Sequence, residues 1–176
     1  MKRANILIFF SLILFTSCGG VKTYTDYDET LDYNQFKTFD FYDPMETGLD
    51  DLDEKRLKTS LREVLAEEGF EQQEDPDFMI NFYSESYQKK RQHNIGVRVG
   101  TFGRNVGGSL GSGIPINSSE NIINITVEFA ETANNELFWQ GVAEGKLSPK
   151  SAPEERRAYF KKAIQKLLKS YPPKSK

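Results

Sequence analysis

The chain has 176 residues, 23 Lys+Arg against 26 Asp+Glu, a formal charge of −3 and a single cysteine. One cysteine excludes an intramolecular disulfide framework, and the length suits one ordinary domain that can bury its core without disulfides or metals. Only one apolar run stands out, and it is too short to cross a bilayer as a permanent helix.

That run opens the chain. Lys2 and Arg3 precede ILIFFSLILF at residues 6–15, followed by Thr16-Ser17-Cys18. A positive segment, an apolar segment and then small residues is the order of a secretory signal peptide. The run has 10 residues, where a spanning helix needs about 20. A buried helix or strand of the fold is the competing reading. Cys18 follows directly, then Gly19-Gly20, and this resembles a bacterial lipobox with Phe15 where Leu is most usual. Cys18 is therefore expected to be the lipidated N-terminus, with a free reactive thiol as the alternative. Cleavage before Cys18 leaves 176 − 17 = 159 residues and, by removing Lys2 and Arg3, moves the charge from −3 to −5. The organisation read from the sequence is a signal peptide at 1–17, a lipidated tether at 18–22 and a single α+β domain at 23–174.

Along that domain, VKTYTDYDE and FKTFDFYD alternate and are rich in aromatic and β-branched residues, as short strands are, with turn-rich DETLDYNQ between them. The period then changes. Leu57, Leu61, Val64 and Leu65 mark one face of a helix over 49–68, with Asp50, Asp51, Asp53 and Glu54 crowding its first turn and Gly69 stopping it. DFMINFYSESY at 77–87 alternates as a half-buried strand. NIINITVEFAE at 121–131 and ELFWQGVAEGKL at 136–147, joined by TANN, form a hairpin. On the last strand Trp139, Gly141, Ala143 and Gly145 share a face, which suggests a helix packed close over it; a Trp139 platform for a sugar or nucleobase is the alternative. A final helix begins near Ser151, whose spacing to Glu154 fits a capping box with Pro153 in the first turn. Its stripe is Phe160, Ala163, Ile164, Leu167 and Leu168, and Pro172-Pro173 ends it. The order β-β-α-β-β-β-α predicts a two-layer α+β sandwich, a mainly antiparallel sheet of about five strands with two helices on one face.

Between the third strand and the hairpin lies a glycine-rich loop over 94–120, in which 96–113 holds seven of the thirteen glycines. Charge is segregated around it. Residues 22–77 carry eighteen acids and six bases. From 86 to 119 there is no acid, while Lys89, Lys90, Arg91, Arg98 and Arg104 are basic, and 146–176 carries ten bases and two acids. The five cations form a candidate anion-binding loop, with a merely solvated loop as the alternative.

The sequence as a whole resembles a bacterial envelope family, domain-of-unknown-function 4136. The resemblance runs from about residue 24 to 174 and rests on YNQFKTFDFYDP, LAEEGF, EDPDFMINFYS, VEFAETANNELFWQGVAEGKL and the terminal YPPK. Where the family commonly reads Leu-Val-Trp-Arg-Gly, this chain has Leu137-Phe138-Trp139-Gln140-Gly141, and the loss of Arg at Gln140 weakens the idea that a positive charge there is essential. The resemblance implies a lipoprotein domain with no assigned activity, often with a glycine-rich insertion where 96–113 sits.

Tests for chemistry return little. No Gly-Lys pair in the glycine-rich stretch makes a P-loop, and Gly111-Ser112-Gly113 meets Ile116 where a dinucleotide fingerprint needs glycine, before a strand instead of a helix. His93 is the only histidine and no G-x-S-x-G elbow accompanies it. The Asp50–Glu54 cluster fits a helix N-terminus better than a metal site. No catalytic residue, metal, cofactor or nucleic-acid partner is indicated. The function expected is that of a lipid-anchored, non-catalytic binding or scaffolding module on the periplasmic side of the outer membrane. It would hold the membrane through lipidated Cys18 and meet an anionic envelope component or another envelope protein. The alternative is a small glycan- or wall-acting hydrolase using a carboxylate pair.

Overall fold

The sheet is built on one long antiparallel pair. In the computed structural model, which describes residues 20–97 and 112–173, β4 (Phe78–Val97) and β5 (Ser112–Glu131) pair from Phe78↔Glu131 to Val97↔Ser112. β6 (Leu137–Lys146) returns beside β5, and β1 (Lys22–Tyr27) pairs antiparallel with β6 at one edge. On the other side β2 (Thr38–Phe41) and the two-residue β3 (Glu71–Gln72) add in parallel. The order is β1-β6-β5-β4-β2-β3. The two early strands thus lie on opposite flanks, and β3 is an element the sequence did not signal. It exists because the chain leaving the first helix runs back along β2, with Glu71 N donating to Lys37 O and Gln73 N to Phe39 O, both at 3.0 Å.

Strand alternation sorts the faces. Phe78, Ile80 and Phe82 of β4, Ile125, Val127 and Phe129 of β5 and Ala143 of β6 are fully enclosed on one face. Onto it pack α1 (Asp51–Glu67) through Leu57, Leu61, Val64 and Leu65, and α2 (Pro153–Leu167) through Phe160, Ala163, Ile164 and Leu167. The result is the two-layer α+β sandwich anticipated, with six strands. Asp50 caps α1, its carboxylate accepting from Asp53 N at 2.9 Å, and Gly69 ends it at φ +90°, a conformation cheap only for glycine.

Two local expectations shift. The cap of α2 falls one residue later than the sequence spacing implied. Ser151 N is used in a turn to Ser148 O, so Ala152 is the cap, and Glu155 reaches back to accept from Ala152 N at 3.1 Å. Ala152 has no side-chain acceptor, so the box is half made. The loop expected over 94–120 is in part strand: 94–97 belong to β4 and 112–120 to β5, while 98–111 lie outside the described residues.

The small residues of β6 set the height of α2. A Cβ on Gly141 would stand 2.6 Å from the Trp139 ring and 2.7 Å from Leu167 Cδ1. One on Gly145 would stand 2.5 Å from the Tyr159 hydroxyl. Trp139 itself is 1% exposed and stacked on Phe129 at 4.6 Å, so it is core and not a ligand platform. Gly141→Ala should destabilise the fold by about 1–3 kcal/mol, since overpacking here displaces a Trp and a Leu with no room to move. Gly20→Ala, where nothing lies within 4 Å, should be nearly neutral. Equal urea midpoints for the two variants would contradict this packing.

Candidate functional site

Among the described residues no element covers the face of the sheet opposite the helices, and its residues line up in cross-strand rungs. At the Asp26 rung, Asn81 and Gln140 both donate to Glu128, each at 2.9 Å. Next comes the rung of Tyr24, Val142, Thr126 and Tyr83, then that of Lys22, Glu144, Asn124 and Glu85. The last rung that β6 shares joins Lys146, Ile122 and Tyr87. Tyr24 is 60% exposed and Tyr87 43%, and the Tyr87 hydroxyl lies 3.4 Å from Glu144 Oε2.

Beyond this rung β4 and β5 continue without a further strand among the described residues. From Gln88↔Asn121 to Val97↔Ser112 they form a two-stranded ribbon of ten rungs, about 30 Å long at the usual rise per residue. Three of the five expected cations fall here. Lys89 is exposed and pairs in register with Glu120, whose carboxylate is held by Lys146 Nζ at 2.5 Å. Lys90 and Arg91 occupy the next rungs, opposite Ser119 and Ser118. Alternation puts Lys89 on the open face. Arg98, Arg104 and Cys18 lie outside the described residues. Tyr24, Tyr87, Lys22 and Lys146 complete the surface, and none of them was marked by a motif.

The end of the sheet bearing the ribbon is also where the chain enters. Val21 is buried at 2% exposure, its carbonyl accepts from Lys166 Nζ, and β1 starts at the next residue. Lys22 stands at the Glu85 rung, three residues short of the ribbon's base.

Elsewhere, the acids serve structure. Asp53 is 1% exposed between the helices; Arg56 Nη1 donates to it at 2.6 Å, Arg156 Nε at 2.9 Å, and Arg156 Nη2 to its second oxygen. Burial alone would raise its pKa, but the hydrogen bonds from Arg156 and Arg56 outweigh this and hold it below the usual value. Asp77 behaves likewise: burial is opposed by the Lys37 and Thr38 amides, at 2.7 and 2.8 Å, which tie β2 to the start of β4. A depression of about 660 Å³ is lined by Asp28, Glu29 and Asp32 beside Pro172 and Pro173. Thr30 holds the Asp28 carboxylate through its hydroxyl and amide, both at 2.7 Å, and lowers its pKa. A glycan hydrolase of the kind weighed from sequence needs one carboxyl raised to stay protonated. Among the described residues the perturbed carboxylates, Asp28, Asp53, Glu54 and Asp77, are all lowered. No group of three His, Cys, Asp or Glu among the described residues could hold a metal ion.

Asp53 gives a pH signature. Its folded pKa is depressed, so its stabilisation is fully present above the ordinary carboxylate value and is lost as pH falls through the depressed one. Asp53→Asn should cost roughly 3 kcal/mol at neutral pH, because two arginines lose their buried partner. The gap to the unsubstituted protein should narrow below about pH 4. Urea unfolding at neutral and acid pH tests this; a gap independent of pH would contradict it.

The fold has solved relatives. A PDZ domain protein from Parabacteroides distasonis superposes with a TM-score of 0.51 at 14% identity, covering 98% of this chain but 41% of that one. The chain therefore spans about two-fifths of that protein, and the likeness is one of fold. A PelC dodecamer from Paraburkholderia phytofirmans aligns at a TM-score of 0.47 and 9% identity, covering 83% of this chain and 95% of that one. No curated protein sequence matches. The model of a domain of unknown function, DUF4136, matches residues 23–173, nearly the whole of the sheet-and-helix unit. The chain belongs to the DUF4136 family.

Proposed function

We propose that this protein is a lipid-anchored component of the bacterial cell envelope that works by binding or scaffolding and not by catalysis. Cys18, acylated after removal of residues 1–17, holds it on the periplasmic side of the outer membrane, and the unit at 23–174 faces an anionic envelope component or another envelope protein. The supporting observation is the junction between anchor and fold. The signal-like run and Cys18 end only three residues before Val21, which is already core, and β1 begins at Lys22. A segment placed there is too close to the domain to be a separate linker and too short to span a bilayer. The acyl chains supply attachment, at about 0.8 kcal/mol per buried methylene, while the sheet face and ribbon supply the contact surface.

Metabolic labelling with a fatty-acid analogue should mark the intact protein and leave Cys18→Ser unlabelled. The unsubstituted protein should sediment with membranes. An unlabelled protein, or one that stays soluble after export, would overturn this reading.

A further inference from the structure

One flank of the sheet ends in an unprotected strand. β1 is the terminal strand of the sheet order, six residues long, and pairs with β6 in unbroken register. Bare strand edges attract a further strand, and proteins usually blunt them by shortness, proline, a bulge or a covering element. The opposite flank is blunted in this way, since β3 has only two residues. β1 has neither proline nor bulge, and no strand lies beyond it among the described residues. Its residues are open on both sides: Lys22, Tyr24 and Asp26 are exposed on the open face, and Thr25 and Tyr27 on the helix side.

The ladder fixes which backbone groups look outward. Asp28 N donates to Phe138 O at 2.9 Å, and antiparallel partners alternate between bonded and non-bonded pairs. By that alternation Asp26, Tyr24 and Lys22 turn their amides and carbonyls to β6, while Thr23, Thr25 and Tyr27 turn theirs out. The outward amide of Tyr27 is already occupied, donating to Asp26 Oδ1 at 3.0 Å. Thr23 and Thr25 are therefore the working donors and acceptors of the edge. A second copy added antiparallel about a two-fold axis must place one residue opposite itself. With the axis at Tyr24, Thr23 of each copy faces Thr25 of the other, and the two exchange N–H···O=C bonds. On the open face Tyr24 then meets Tyr24, and Lys22 meets Asp26 of the second copy. Aromatic, threonine and opposite-charge pairs are the cross-strand pairs that stabilise an antiparallel sheet. An axis at Thr25 would call on the occupied Tyr27 amide and set Asp26 against Tyr24. An axis at Thr23 would set Lys22 against Tyr24. Only the Tyr24 axis joins the two charges. It also leaves room for the helices. α2 lies over the small residues of β6, so its two copies stand three strand spacings apart, about 14 Å. Helices about 10 Å across clear each other at that distance.

We propose that β1 is a self-pairing edge, through which two copies of this chain join antiparallel about a two-fold axis at Tyr24 and continue their sheets into one. Lys22 and Asp26 of each copy close ion pairs on either side of the tyrosine pair, and both helix layers lie on the same side. The contact goes beyond the envelope reading above and does not require Cys18 to be acylated.

The test uses the full chain carrying Cys18→Ser, which removes its one native thiol, oxidised in the producing cells with a membrane-permeant reagent. Tyr24→Cys should form a disulfide-linked dimer, since facing residues of a non-bonded pair stand about 4.5 Å apart at Cα, within disulfide reach. Asn134→Cys, exposed in the turn between β5 and β6, should stay monomeric. Lys22→Cys and Asp26→Cys should each stay monomeric alone and crosslink to one another when the two variants are produced together. A Tyr24→Cys dimer no more abundant than that of Asn134→Cys would overturn the edge contact. A Tyr24→Cys dimer without the mixed Lys22–Asp26 crosslink would overturn this register and its charge match. An adduct of Tyr24→Cys with a different protein, in place of the dimer, would overturn the second copy as the occupant of the edge.

Discussion

The close approach of α2 to β6 organises much of the molecule. Gly141, Ala143 and Gly145 offer a groove of backbone beside Trp139, and α2 settles into it until Leu167 and Tyr159 reach the strand. That depth closes the aromatic core, in which Tyr171 meets both Phe129 and Trp139 edge-on. It also fixes the polar ends of the helix: Arg156 falls beside Asp53 on α1, and Lys166 reaches the carbonyl of Val21. The same contact that seals the core thereby pins the N-terminal junction. A side chain at Gly141 would act on stability and also on how firmly the start of β1 is held.

Charge is divided between inner locks and an outer face. Acids in the first half of the chain are engaged in caps and clamps: Asp50 on the α1 amides, Asp53 on two arginines and Asp77 on the β2 backbone. The lowered pKa values of Asp53 and Asp77 belong to ionised acceptors, and such groups donate no proton at neutral pH. Outside, the sheet face changes along its length from the Asn81–Glu128–Gln140 network to the exposed Tyr24 and Tyr87 and then to Lys89.

Much of the fold was legible because its core residues recur at the periods of helix and strand. The stripes of α1 and α2, the Phe78–Phe82 alternation and the Trp139–Gly145 face all follow from spacing, and so does the helix lying over the small residues. The ribbon was not legible. QKKRQHNIGV after Tyr87 alternates polar with polar until Ile95, so no hydrophobic period separates strand from loop, and the glycines nearby point to loop. Its strand character comes from pairing in register with 112–121, a non-local fact. β3 was hidden for the same reason, since EQ has no pattern and is strand only because β2 runs beside it. The cap of α2 moved by one residue because the Ser148–Ser151 turn competes for Ser151. The basic cluster was visible as composition; the place of residues 89–91 at the same end of the sheet as the start of β1 required the register.

Hydrogen exchange of the backbone amides, compared between the unsubstituted protein and Gly141→Ala, tests the packing of α2 on β6 most directly. The account expects amides of α2 and of β1 to lose protection together, because one contact seals the core and holds the start of β1 through Lys166. Unchanged exchange in both elements, or loss confined to the β5–β6 turn, would contradict it.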